Sequence, residues 1–284
     1  MTHCIAIHSY KGGTGKTTIA ANAAALLVQM GKKVAILDLD VYAPSLHNYF
    51  KINPKKWIND FLDNNADIYE SIIDMTHLLF PQEQEQSKSK GRLYAGFSNP
   101  SRDAIFKFEM GNGTDYWKKQ FRKLVFLREQ IITKLDTDYI IIDTSPGIRH
   151  WSINALSIAD KLILTMKMDD LDIEGTKKLL FEIYTTFVRF GAISYILLNR
   201  VSGYCIPCNT IQLNIEENQD HKKVLEELHA ATGANSLSPL PCYCDIQFSP
   251  REFLTVINNP NHPFSLRLKN IINEMIDTTQ DSKY

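Results

Sequence analysis

The stretch Tyr10-Lys11-Gly12-Gly13-Thr14-Gly15-Lys16-Thr17-Thr18 decides how this chain is read. It follows a short apolar run, His3 to His8, and opens a helical pattern from Lys16 to Met30. A strand, a glycine-rich turn and a helix in that order build a phosphate-binding loop. Glycines let several backbone N–H groups converge on phosphate oxygens where side chains would obstruct them. The helix N-terminus adds its partial positive charge. Gly12, Gly13, Thr14, Gly15 and Thr18 belong to this cradle. Lys16 would reach the β- and γ-phosphates of a nucleotide, and the Thr17 hydroxyl would bind Mg²⁺. The general pattern GxxxxGK(S/T) is broken at its first glycine, where Tyr10 stands.

Outward from the loop, short apolar runs alternate with longer amphipathic stretches. Lys33–Leu37, Arg92–Phe97, Tyr139–Ile142, Lys161–Met166 and Ala192–Leu198 read as further strands. Each is nearly continuous in apolar residues, as expected where both faces of a parallel sheet are covered. Tyr116–Leu135 and Glu174–Phe190 read as helices between them. The alternation predicts an α/β fold, a doubly wound and mostly parallel sheet with helices on both faces. We expect one domain over residues 1–284, with a variable excursion at about 50–110 that carries the protein's individual specificity. Inside it Pro81–Gly91 is polar and aperiodic, a loop by composition.

Composition narrows the field. Of 284 residues, 44% are hydrophobic and 22% charged, an ordinary globular balance. Thirty-one basic against thirty-two acidic residues give a net charge of −1, which argues against a strongly basic DNA-coating protein. No run approaches the ~18 apolar residues of a membrane span. The first residues run straight into a strand and the glycine loop, so no signal peptide is read. Five cysteines in such a chain read as reduced thiols or metal ligands rather than a disulfide framework. The expected location is cytoplasmic.

The segment KGGTGKTT, with its extra Lys11, resembles the deviant Walker A motif of the MinD/ParA/Mrp ATPases, within the SIMIBI group of P-loop proteins. The resemblance extends over most of the chain. It implies Mg·ATP as ligand, and it makes Lys11 the signature lysine that reaches across an ATP-dependent homodimer to the partner's nucleotide. Asp38-Leu39-Asp40, leading DLDVYAPSL, looks like the family's switch I. By that likeness Asp40 orients or activates the attacking water and Asp38 lies nearer the Mg²⁺ shell. Asp143 ends an apolar strand, which suits a Walker B carboxylate holding Mg²⁺ through water; a helix cap is the plain alternative. Thr144-Ser145-Pro146-Gly147 continues like switch II. Asn199-Arg200 is similar to the family pair whose asparagine contacts adenine, and Leu240-Pro241 to the loop closing the other side of the base. The resemblance implies a slow ATPase, a nucleotide-driven dimerisation switch that positions or regulates a partner the sequence does not name.

The late cysteines keep a second reading open. Cys205 and Cys208 form a CxxC that looks like the Mrp branch, whose pair bridges an iron–sulfur cluster between subunits. Cys242 and Cys244 lie outside that pattern, and with the first pair would make a four-thiolate site for zinc or a cluster. Ordinary reduced cysteines in a loop are the plain alternative; Cys4, inside the first strand, reads as core. A nucleotide-binding adaptor without turnover and a ligase sharing the ATP site are the other rivals. Trp117–Leu124 opens a basic amphipathic helix, read as a solvated face over Trp117, Phe121 and Leu124 rather than a nucleic-acid or lipid contact. Phe264–Asp277 is amphipathic without a basic–hydrophobic cluster after it, so stable membrane anchoring is disfavoured and packing on the sheet expected.

Overall fold

The computed structural model describes residues 2–80, 91–111, 113–201, 219–247, 249 and 254–277. Among the described residues nine strands form the sheet: β1 (His3–His8), β2 (Lys33–Leu39), β3 (Ile72–Asp74), β4 (Arg92–Gly96), β5 (Tyr139–Thr144), β6 (Lys161–Met166), β7 (Ile193–Val201), β8 (Asn235–Ser236) and β9 (Leu240–Pro241). Their order is β3-β4-β2-β5-β1-β6-β7-β8, with β9 also paired to β7. Every pairing is parallel except β3 with β4. The expected doubly wound α/β layer is what the chain forms.

The apolar runs become strands because both faces are buried. Ile5, Ile7, Val34, Ile36 and Ile141 face one core, and Cys4, Ala6, Ala35, Leu37, Ile140 and Ile142 face the other. The period of two along each strand separates the two sets. On the first face lies α1 (Lys16–Gln29), whose Ala20, Ala21, Ala23, Ala24 and Ala25 are buried and let its backbone approach the sheet. The Pro263–Asp277 helix joins it through Phe264, Leu268, Ile271, Ile272 and Met275. That helix packs against the body of the protein, as its amphipathic pattern predicts. The Thr114–Leu135 helix covers the second face, with Leu124 buried and Trp117 and Phe121 packed partly under it.

The 50–110 excursion supplies β3 and β4, the latter at the strand expected over Arg92–Phe97, and β4 pairs with β2 from Lys33↔Arg92 to Leu37↔Gly96. One expectation needs adjustment: β2, β5 and β7 run past their apolar stretches to Leu39, Thr144 and Val201. The loop reading of residues 81–91 falls, but for Gly91, outside the described residues. Among the described residues no helix is long and apolar enough to cross a membrane.

Candidate nucleotide site

The site lies where the sheet order turns about β1, at the carboxyl ends of β1, β2 and β5, the usual position for ligands of open α/β sheets. Register places the carboxylates. Asp38 is paired with Asp143 across β2 and β5, and Asp143 with Ile7 across β5 and β1. The loop after β1 therefore leaves the sheet beside two buried acids.

Gly15, the residue before α1, has φ +88°, and a Cβ built on it would stand 2.4 Å from Asn199 Nδ2. Only glycine fits both the left-handed backbone and that approach. Asn199 Nδ2 donates to Thr14 O (2.6 Å) and Arg200 Nη1 donates to Gly13 O (2.7 Å), so the end of β7 is bolted to the loop backbone. Arg200 itself holds φ +59°. The broken glycine at Tyr10 has a physical account: its ring lies over Gly175, where a Cβ would meet it at 2.0 Å. The missing side chain at 175 makes room for the extra one at 10.

Lys16 is 7% exposed and its Nζ donates to Ser9 Oγ (3.0 Å). Burial pulls its pKa down, against the pull of Asp143, Asp40 and Asp172. Thr17 Oγ1 donates to Asp143 Oδ2 (2.6 Å), while Asp143 Oδ1 is buried without a partner. Burial, opposed by the Thr17 hydroxyl and Lys16 and reinforced by Asp40, pushes Asp143 up to about 7. Asp38 is also raised, by burial first and then by Asp143 and Asp40. Its Oδ1 accepts the Asp40 N–H and its Oδ2 the Leu46 N–H, both at 3.1 Å. Asp38 thus shapes the acidic loop. Asp40 Oδ1 accepts from Ala43 N (3.1 Å) and Ser145 Oγ (2.8 Å), tying that loop to the segment after β5.

Three acids around one ammonium leave negative charge uncompensated, and an orphaned carboxylate oxygen beside a threonine hydroxyl fits a divalent cation. Among the described residues no three His, Cys, Asp or Glu group as a preformed metal site. Lys11 differs from Lys16: its Nζ is outside the cradle, paired with Asp169 at 3.2 Å across an exposed contact. Asp169 also caps the Asp170–Leu179 helix by accepting the Asp172 N–H (2.9 Å).

A cavity of about 100 Å³ continues from Gly15 and Thr18 to Asn199, Arg200 and Pro241. Sequence reasoning placed those residues together. It missed the apolar wall of the same cavity, where Tyr49, Tyr243 and Phe264 stand. Tyr49 shares a hydrogen bond with Thr18 Oγ1 (2.6 Å), and Tyr243 meets Phe264 edge-on at 6.1 Å. Tyr243 and Phe264, each within two residues of a late proline (Pro241 and Pro263), were the signal available; Tyr49 carried none. Cys205 and Cys208 lie outside the described residues. Cys242 and Cys244 are half-buried at the end of β9, and the Cys242 N–H donates to Val201 O (3.1 Å). Cys4 is buried, and desolvation pushes its thiol up to about 12, beyond reactive use.

A family model described as an AAA domain matches residues 2–189, about two thirds of the chain. The chain belongs to the MinD/ParA/Mrp family of P-loop ATPases. The septum site-determining protein MinD of Pyrococcus horikoshii, solved with Mg-ADP, shares its fold with a TM-score of 0.70 at 20% identity, over 98% of each chain. An iron–sulfur cluster carrier protein of Aquifex aeolicus is 50% identical over 146 residues, 51% of this chain and 33% of that protein. The sporulation initiation inhibitor protein Soj of Bacillus subtilis is 27% identical over 186 residues, 63% of this chain and 64% of that protein. The chain therefore spans between a third and two thirds of these curated relatives.

Proposed function

We propose that this family member binds Mg·ATP at the β1 loop, dimerises face to face when ATP is bound, and hydrolyses it slowly to come apart again. Its output is the timing or placing of a partner protein in the cytoplasm. The whole chain acts as one ATPase domain, with the 50–110 segment carrying partner specificity. The observation that carries the reading is the contrast between two lysines. Lys16 is sunk among Asp143, Asp40 and Asp172, where a triphosphate replaces its lost water. Lys11 sits at the rim, held among the described residues by an exposed pair with Asp169. Such a pair is worth about 0–1 kcal/mol and is readily exchanged for a phosphate presented by a second copy.

In this reading the loop backbone from Gly12 to Gly15 and the Thr18 hydroxyl hold phosphates. Thr17 and Asp143 hold Mg²⁺, with Asp38 behind them, and the ion neutralises phosphate charge when bound. Asp40 positions the attacking water, its carboxylate fixed by Ser145. Asn199, Arg200 and Pro241 take the base side. Light scattering tests the reading: the wild type should double its mass with Mg·ATP and not with Mg·ADP. Lys11→Ala should still bind ATP yet stay monomeric. A wild type that remains monomeric at saturating ATP overturns the switch.

The pKa of Asp143 gives a second check. Proton and cation compete for its carboxylate, so the thermal stabilisation conferred by Mg·ADP should grow as pH rises through about 7. The ligand-free chain has the opposite sign. A carboxyl raised in the folded state contributes stability present below its unfolded pKa, and lost as pH rises through the folded one. Asp143→Asn should flatten both trends in a melting series.

Iron–sulfur carriage is the second reading, favoured by the 50% identity to the Aquifex aeolicus carrier. Cys205 and Cys208 would be its ligands. Iron and acid-labile sulfide in anaerobically isolated protein separate it from the dimer switch.

A further inference from the structure

A second cavity, of about 120 Å³, opens beyond the carboxyl end of β4 and belongs to none of the machinery above. The Ile58–Leu62 helix, the Arg102–Met110 helix and the start of the Thr114–Leu135 helix form its walls. Gln120 lines it and is 5% exposed; its amide shares a hydrogen bond with the Tyr116 hydroxyl, while its Oε1 is buried with no hydrogen-bond partner. A buried amide oxygen without a donor asks for an occupant that supplies one.

The other acceptors point the same way. Asp60 Oδ2 accepts the Trp57 N–H (2.9 Å) and Asp63 Oδ2 accepts from Lys107 Nζ (2.6 Å), which leaves one carboxylate oxygen on each. The lining carries Asp60 and Asp63 against Lys107, with Lys123 also within electrostatic reach of Asp63. Asn59 and Asn99 spend their carbonyl oxygens on the Asn99 and Ser101 N–H groups. Phe108 and Tyr116 complete the wall.

We propose that this cavity binds a small primary ammonium ion, an alkylamine or diamine, through Gln120 Oε1 and the carboxylates of Asp60 and Asp63. The proposal stands apart from the nucleotide reading and survives its failure. Calorimetric titration of the full chain with putrescine tests it, with sodium acetate as the opposite-charge probe. The wild type should bind putrescine, and Gln120→Met and Asp63→Asn should each weaken it about tenfold. Melting curves of both variants check that the fold is kept, because Gln120→Met also gives up the amide's hydrogen bond with the Tyr116 hydroxyl. Absence of putrescine heat at about 10 mM, a wild-type affinity retained in both variants, or acetate binding in its place overturns the proposal.

Discussion

Lys16→Ala should lower ATP turnover by at least about 10²–10³-fold, the scale of removing a preorganised charge from a developing phosphate anion. The reason lies in what holds this lysine. Its one described hydrogen bond goes to Ser9 Oγ, and its attraction to Asp143, Asp40 and Asp172 is set against a desolvation that lowers its pKa. A buried ammonium without an ion pair of its own is costly to the empty fold and gains from a ligand that brings negative charge. Deleting it removes the gain and the cost together. The variant should therefore melt close to wild type while losing nucleotide binding by equilibrium dialysis and phosphate release in steady state. Turnover within a factor of about two of wild type would remove Lys16 from the reaction, and the ATPase assignment of this loop with it.

Why that site was legible in the sequence, and its surroundings less so, follows from chain distance. The loop from Tyr10 to Thr18 is local, and glycine with lysine in fixed spacing states its chemistry within nine residues. β1, β5 and β6 were legible because a strand covered on both faces needs an unbroken apolar run. The carboxyl ends of β2, β5 and β7 were not. Asp38, Asp143 and Asn199 interrupt the apolar pattern while still pairing in the sheet, so the side chains of the candidate site ride on strand residues that an apolar run leaves out. β3, β8 and β9 span three, two and two residues, and β9 ends in a proline, so no periodicity could announce them.

The partners of the site residues are further off. Lys11 meets Asp169 across 158 positions, and Gly175 makes space for Tyr10. Tyr49 reaches Thr18 from the short Leu46–Phe50 helix, whose start is pinned by Asp38. Such pairings depend on how crossovers lay helices on the sheet, and single residues carry no local mark of them. Conversely, the tail helix was read correctly because its apolar face repeats at helical spacing and needs only some surface to cover.

The largest expected loss of stability is at Trp151. Its ring is wholly buried, 4.8 Å from Phe108, and its Nε1 donates to Leu39 O (2.8 Å). Trp151→Ala should cost about 3–5 kcal/mol from the cavity alone. Against a total of about 5–15 kcal/mol that leaves a marginal fold, read as a fall in urea midpoint at unchanged slope. Trp151→Phe separates packing from placement. It keeps most of the ring and leaves the Leu39 carbonyl without its donor, worth about 1–3 kcal/mol. Leu39 stands between Asp38 and Asp40, so the indole N–H also fixes the backbone from which both carboxylates project. Trp151→Phe should therefore lower turnover more than its modest change in midpoint accounts for, with the loss in kcat rather than KM. Equal turnover in a correctly folded Trp151→Phe would mean that the Asp38 and Ser98 contacts hold the acidic loop without it.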